Sequence, residues 1–331
     1  MKTLSPKSTA TDRVSFVVPV RDDADRLQKC LASIVRLRKG GATTEVVVVD
    51  NGSADESPEV AGRMGALVLR LPGLSVAQLR NRGVMEASGN LVAFVDADHV
   101  LDTGWLDAAL DAMTESGTAA AGAPYVFAGE TWVQRSYERL RPFLSGRMNA
   151  AWLGSGNLII RRDLFLEVGG FDENLETCED VDLCQRLRGT GLRLIAEPKM
   201  RSIHLGDPST LRALFLGELW RGRDNLRVTL RGPWTPSSLA SLIVSGGMLI
   251  FMSAIVVAGL LLPIMAWSGL VLAIGIAGFA AIVILRATKM TLRGKEIQSF
   301  AANLIVGTVY ESARAIALVV RTSHRVRRSR R

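Results

Sequence analysis

The chain has only three cysteines, Cys30, Cys178 and Cys184, and no CxxC pair. That excludes a disulfide framework and fits a reducing, cytoplasmic compartment. Residues 1–13 are polar and lack an apolar core, so no signal peptide is expected. No internal repeat and no long low-complexity linker interrupts the rest. A basic face on the folded region is also missing. Residues 286–331 carry eleven Lys/Arg against Glu296 and Glu311, a net of +9, which leaves residues 1–285 at about −1 of the chain's +8. Nucleic-acid binding therefore has no footprint outside the tail. A basic tail beside an apolar segment suits anionic lipid better.

The most informative absence is that of charge from Ser238 to Leu285. These 48 residues carry none, whereas 22% of the whole chain is charged and its mean hydropathy is +0.22. Residues 238–262 and 264–285 are each long enough to cross a hydrocarbon core, which takes about 20 residues, and Pro263 separates them. Arg227 and Arg231 precede this stretch, Arg286, Lys289, Arg293 and Lys295 follow it, and the turn between is uncharged. The positive-inside tendency then puts both ends, and the catalytic part, on the cytoplasmic side of a multi-pass segment in the cytoplasmic membrane. Residues 300–320 contain Asn303, Glu311 and Arg314 and read as an amphipathic interfacial helix. Residues 210–230 read as another helix, either packed on the domain or lying at the membrane surface.

The first half alternates continuous apolar strands with helices. Strands are expected at 14–20 (VSFVVPV), 45–50 (EVVVVD), 66–71 and 91–96, with helices at 23–37, from about 57, and around 76–87. This is the pattern of a parallel sheet covered on both faces, whose ligands bind at the carboxyl ends of its strands. Polar clusters fall at those ends: Arg21-Asp22-Asp23, Asp50-Asn51-Gly52-Ser53 and Asp96-Ala97-Asp98. Strands near 119–126, 158–161 and 193–196 and a helix near 180–188 make the second part mixed. Two carboxylates one residue apart at a strand end can converge on one hard cation, and Mg²⁺ or Mn²⁺ held there would neutralise a diphosphate. The alternative is an Asp capping the next helix. Asp50 can accept bonds from a ribose or base edge, with Asp55 free to cap a helix. Arg80, in Arg80-Asn81-Arg82-Gly83, could grip a diphosphate bidentately. Glu179-Asp180-Val181-Asp182 opens a helix, where a carboxylate is held ionised, as suits a general base. One of these acids is expected to serve as a cap.

Taken together these strings resemble the family-two glycosyltransferases of the GT-A fold over about residues 14–206. The resemblance is carried by VSFVVPV (14–20), VVVVDNGSAD (46–55), RNRG (80–83), LVAFVDADHVL (91–101), GSGNLIIRRDLFLEVGGFDE (154–173) and EDVDLCQRL (179–187). It implies an α/β fold with a Rossmann-like nucleotide-binding half and a mixed central sheet, followed by the transmembrane hairpin and interfacial helices. The implied organisation is a polar tail at 1–13, the GT-A domain at 14–206, an interfacial helix and linker at 207–236, two spans at 237–285 and a basic tail at 286–331. It implies a nucleotide-sugar donor contacted by Pro19, Val20, Asp22, Asp50, Ser53, Arg80, Asn81 and Asp96. A divalent metal, Mg²⁺ or Mn²⁺, is implied at Asp98, Asp96 and His204. Asp180, beside Glu179, is implied as the base for inverting transfer, with Gly154, Ser155, Gly156 and Asn157 on the acceptor side. Two departures stand out. Arg21 and Asp22 replace the aromatic and Asn common after VVPV, and no Gln-x-x-Arg-Trp motif follows the base, which argues against a polymerising synthase. The expected reaction is sugar transfer to a membrane-associated, polyprenyl-linked acceptor in envelope or exopolysaccharide synthesis. Transfer to polyprenyl phosphate itself is the close variant, and an inactive nucleotide-sugar-binding scaffold is the non-enzyme one. A two-span anchor would also allow self-association.

Overall fold

The structure, a computed structural model, describes residues 12–37, 41–141, 144–232, 234, 236–294 and 297–320. Residues 1–11 of the polar start and the arginine-rich end 321–331, the proposed lipid contact, lie outside these. The chain forms two compact units, Met1–Ala128 with Pro142–Gly206, and Gly129–Arg141 with Asp207–Arg331. The excursion at 129–141 was not visible in the sequence, whose pattern ran as one domain from 14 to 206.

In chain order the strands are β1 (Arg13–Val20), β2 (Thr43–Asp50), β3 (Leu67–Arg70), β4 (Leu91–Val95), β5 (His99–Leu101), β6 (Thr118–Gly122), β7 (Val126–Phe127), β8 (Met148–Asn149), β9 (Asn157–Arg161), β10 (Arg193–Ala196) and β11 (Ser202–His204). Eight of them form one sheet in the order β3-β2-β1-β4-β9-β6-β10-β8, and β5-β11-β7 form a small second sheet. One half of the larger sheet, β3-β2-β1-β4, is parallel. β9 runs antiparallel to both β4 and β6, so the central sheet is mixed. The single strand expected at 119–126 is two, β6 and β7, and they belong to different sheets.

The centre of the sheet is dry because its strands are apolar on both sides. Every residue of β4 is buried. α1 (Ala24–Val35) brings Leu27, Leu31 and Ile34 to one face, where they pack with Phe16 and the fully buried Trp105 of α4 (Trp105–Thr114). α2 (Ser57–Arg63) lies on the α1 side, and α3 (Val76–Glu86) covers the other face with Leu79 and Val84 against Val17, Val49 and Phe94. α3 can sit this close only because residue 83 is glycine. A Cβ there would lie 2.4 Å from Val17 Cγ1 and 3.0 Å from Val49 Cγ2, both on stiff β-branched side chains in the core. Gly83→Ala should therefore lower stability by about 1–3 kcal/mol despite alanine's better helix propensity. Denaturant titration of the variant checks this, and an unchanged midpoint would contradict it.

The first unit also holds α6 (Arg162–Glu167) and α7 (Glu179–Gly189); in the second, α5 (Trp132–Glu138) comes first, and the helix expected over 210–230 is two, α8 (Leu211–Arg221) and α9 (Asn225–Arg231). α10 (Pro236–Leu261) and α11 (Ser268–Gly294) follow, each long and apolar enough to cross a membrane, with only 17% of each apolar window buried. Ile243, Leu260 and Leu285 are each more than two-thirds exposed, a surface that suits hydrocarbon rather than water. α11 runs nine residues beyond the uncharged stretch and carries Arg286, Lys289 and Arg293 on its last turns. α12 (Phe300–Ala317) differs from the expected surface helix. Its polar residues point inward: Glu311 is 1% exposed and paired with Arg286, and Arg314 donates to Ser241 Oγ at 2.9 Å. An ion pair with Arg286 of the neighbouring helix engages Glu311, and Ser241 engages Arg314, so these two residues form no solvated stripe.

Candidate active site

The carboxyl ends of β1, β2 and β4 and the start of α7 hold the polar groups that the sequence singled out. Asp50 closes β2, is fully buried, and accepts the N–H groups of Gly52 (3.2 Å) and Ser53 (3.2 Å). Asp22 has φ of 51°, donates its N–H to Ser53 Oγ at 2.9 Å and accepts from Ala54 at 2.7 Å. Asp22, Asp50 and Ser53 thus form one knot joining the turns after β1 and β2. Val20 is buried there, and its carbonyl accepts the Asn51 N–H, while Pro19 is half-buried. Asp55 sits one residue before the N-cap position of α2, held by Glu56. It accepts from Ser57 of α2 and from Ala24, the first residue of α1.

Arg80 is turned inward, between two carboxylates. It is 3% exposed, donates to Asp96 Oδ1 at 2.6 Å and to Glu179 Oε1 at 2.7 Å, and lies over the Phe171 ring. One guanidinium therefore clamps the end of β4 to the start of α7. Its Nε is buried without a protein acceptor. Asn81 is likewise committed: it donates to Phe171 O and Glu173 and accepts the Phe171 N–H, clasping the loop before α7. Asn157, read as an acceptor-side residue, is fully engaged below the site. It accepts from Trp105 Nε1 at 2.6 Å and donates to the carbonyls of Ala123 and Met200.

The three acids that open α7 divide their roles. Glu179 pairs with Arg80 and accepts from Ser155 Oγ at 3.4 Å, and Asp182 pairs with Arg186 one turn on at 2.7 Å. Asp180 accepts the Val181 N–H at 2.8 Å. Its position at a helix start suggested a carboxylate held ionised. Burial, then the negative charge of Glu179, instead raise its pKa to about 7, against the bonds from Val181 and Ser155 and the charge of Arg80. Desolvation outweighs a helix-end field here, since that field contributes only about 0.3–1 kcal/mol at an exposed end.

Asp98, His99 and His204 lie together, one potential ligand atom from each being within 4.8 Å of the others. Asp98 follows β4, and the antiparallel register of β5 and β11 sets His99 directly opposite His204. His204 Nε2 is 3.2 Å from Asp98 Oδ2, and Tyr125 packs against both imidazoles. His99 Nδ1 bonds Ser202 Oγ at 3.1 Å, which orients the ring and leaves Nε2 as its second nitrogen. Burial would raise the Asp98 pKa, but the hydrogen bond and charge of His204, then His99 and Arg26, outweigh it and bring it to about 2. Residue 206 leaves the cluster open because it is glycine. A Cβ there would fall 2.0 Å from Asp98 Oδ2 and 3.1 Å from His204 Nε2. One ionised carboxylate and two imidazoles, with a cradle free of side chain, fit a divalent cation. The sequence reading did not name His99, although it directly follows the DAD string. Asp96, which that reading placed with the metal acids, is held by Arg80 and by the Gly156 backbone.

A mixed sheet with a parallel nucleotide-side half, an Asp-x-Asp at the end of β4 and an acid-led helix after the acceptor loop define the GT-A class of α/β fold. Residues 15–168 match the family model described as Glycosyl transferase family 2, so this part of the chain is a family-2 glycosyltransferase domain. A pre-mycofactocin glycosyltransferase of Mycobacterium tuberculosis is 32% identical over 260 residues, 74% of this chain and 53% of that protein. The glycosyltransferase AglE of Haloferax volcanii is 28% identical over 194 residues, 55% of this chain and 63% of that protein. The chain thus spans between half and two-thirds of the length of these relatives. Among solved structures, the mannosyltransferase PcManGT of Pyrobaculum calidifontis, in complex with GDP-Man and Mn²⁺, shares the fold at TM-score 0.61 and 18% identity, over 95% of this chain and 89% of that one. GalNAc-T7 with UDP, GalNAc and Mn²⁺ does so at TM-score 0.52 and 15% identity, over 72% and 51%.

Proposed function

We propose that this chain transfers a glycosyl group, with inversion, from a nucleotide sugar to a hydroxyl of a membrane-associated, polyprenyl-linked acceptor, with Asp180 as the general base. The observation that carries the reading is the place of Asp180 at the start of α7, next to the pair of acids clamped by Arg80, where burial and the charge of Glu179 hold its pKa well above the usual carboxylate range. Such a group is ionised often enough at neutral pH to accept a proton and basic enough to take it from a hydroxyl. As the proton moves to Asp180, the acceptor oxygen bonds to the anomeric carbon. The bond from that carbon to the donor phosphate oxygen breaks, and its electron pair leaves with the nucleoside diphosphate. Asp98, His99 and His204 would hold a divalent metal, which supplies positive charge for that diphosphate. The knot of Asp22, Asp50 and Ser53 supports a nucleoside-binding role at the ends of β1 and β2. A phosphate acceptor is already ionised at neutral pH and has no use for a base, so the poise of Asp180 favours a hydroxyl over polyprenyl phosphate.

Exposed apolar surface on α10 and α11, with basic residues Arg227 and Arg231 before and Arg286, Lys289 and Arg293 after, supports a hairpin in the cytoplasmic membrane with both ends cytoplasmic. Two imidazoles among the metal donors favour Mn²⁺ over Mg²⁺. A screen of nucleotide sugars for release of nucleoside diphosphate tests the whole reading. One donor should respond, EDTA should abolish release, and Mn²⁺ should restore it more fully than Mg²⁺. Full activity in EDTA would remove the metal from the scheme, and silence with every donor would sink the transferase reading.

A further inference from the structure

Trp152 belongs to none of the motifs read from the sequence, yet it is 52% exposed in the loop between β8 and β9. The backbone around it is pinned on both sides. Ala150 donates its N–H to Leu194 O at 2.8 Å, and β8 pairs with β10. Arg147 engages three carboxylates, Asp111, Glu115 and Glu197. After Trp152, the Leu153 N–H donates to Cys184 Sγ at 3.3 Å, and that thiol lies 3.6 Å from Leu153 O. The indole is thus presented to solvent from a fixed frame rather than carried on a loose segment.

What faces the ring is informative. A Cβ built on Gly154 would lie 3.8 Å from Trp152 Cζ3 and 3.9 Å from Asp180 Oδ2, ordinary contact distances on both sides. The indole edge and the base carboxylate therefore border one gap, kept open because residue 154 has no side chain. A ligand there meets apolar indole C–H groups on one side and a proton acceptor on the other. A pyranose ring has this dual character, with an apolar face of C–H groups and hydroxyls around its edge. A phosphate suits it poorly, since the Asp180 carboxylate repels an anion.

We propose that Trp152 is the acceptor-binding platform: a sugar ring of the acceptor stacks on the indole and thereby directs one hydroxyl to Asp180. The acceptor is then a glycoside, a lipid that already carries a sugar. This inference rests on the reading of Asp180 as the base, and it adds the chemical class of the acceptor.

The test uses the full chain in detergent, the donor identified by the screen, and two probes: an octyl glycoside series and citronellyl phosphate. Trp152→Ala should raise the KM for the best octyl glycoside about tenfold, the effect of a stacking contact of ~1.4 kcal/mol. Trp152→Phe should stay within roughly threefold of wild type, and the donor KM should move less than about twofold in both. Gly154→Val, which fills the gap, should also raise the glycoside KM while sparing the donor KM. If Trp152→Ala fails to fold, Trp152→Phe and Gly154→Val carry the comparison. An unchanged glycoside KM in these variants overturns the proposal, as does efficient use of citronellyl phosphate indifferent to Trp152. A third contrary result is a variant that loses only its binding to anionic vesicles, which would make Trp152 a membrane anchor. Wild-type release of nucleoside diphosphate separates the two levels. Its absence removes the underlying reading and this proposal together, whereas its presence with an unmoved acceptor KM removes the platform alone.

Discussion

Asp180→Asn should lower the transfer rate by about 10²–10⁴-fold, the usual contribution of a positioned general base. The amide preserves size and can still accept the Val181 N–H, so the helix start should survive and the loss should fall on kcat. The wild-type pH profile gives an independent check. The base must be unprotonated, so activity should rise with pH up to about 7, and below that fall toward tenfold per pH unit. Near-wild-type transfer by the Asn variant, or a flat profile between about pH 5 and pH 8, would remove Asp180 from the role. Glu179→Gln should move the limb to lower pH, because the charge of Glu179 is one of the groups that raise the Asp180 pKa.

The second large effect is expected at Arg80. Arg80→Met keeps an unbranched apolar stem but leaves Glu179, 10% exposed at its side chain, and Asp96, 36% exposed, without their shared cation. Breaking a buried pair by removing one partner costs about 3–5 kcal/mol, and the exposure of Asp96 argues for the lower end of that range. A thermal melt or denaturant titration measures it. Arg80→Lys should not rescue, since one ammonium cannot span both carboxylates in the geometry of a guanidinium fork. Arg80→Met with Glu179→Gln should recover part of the loss. The charge of Arg80 also lowers the Asp180 pKa, so in any folded Arg80→Met protein the activity limb should shift to higher pH, opposite to Glu179→Gln. Stability within about 1 kcal/mol of wild type would show that the clamp matters less than its geometry suggests.

Much of this protein was legible in the sequence because the responsible forces are local. Continuous apolar runs made β1, β2 and β4 recognisable, since a strand buried on both faces can carry no alternation. The uncharged stretch identified the two long helices by length and composition alone, and strand-end acids marked where a ligand would meet the sheet. Pairing was not legible, because it joins residues distant in the chain. Arg80 reads as a free guanidinium in Arg-Asn-Arg-Gly, and only the packing of α3 beneath α7 gives it Glu179, 99 positions away. His99 joins His204 because β5 and β11 run antiparallel in one particular register, a choice made by the small second sheet. Glu311 and Arg314 share a helix face whether that face meets solvent or protein, and Arg286 of the neighbouring helix decided the matter. The sequence by itself determined which segments become strands, helices and apolar spans, and where acids cluster, because periodicity and composition act within a few residues. The tertiary structure decided which of those acids are clamped, which shares a cradle with two histidines and which is left basic. Charge partners and desolvation are properties of the packed fold, not of the local chain.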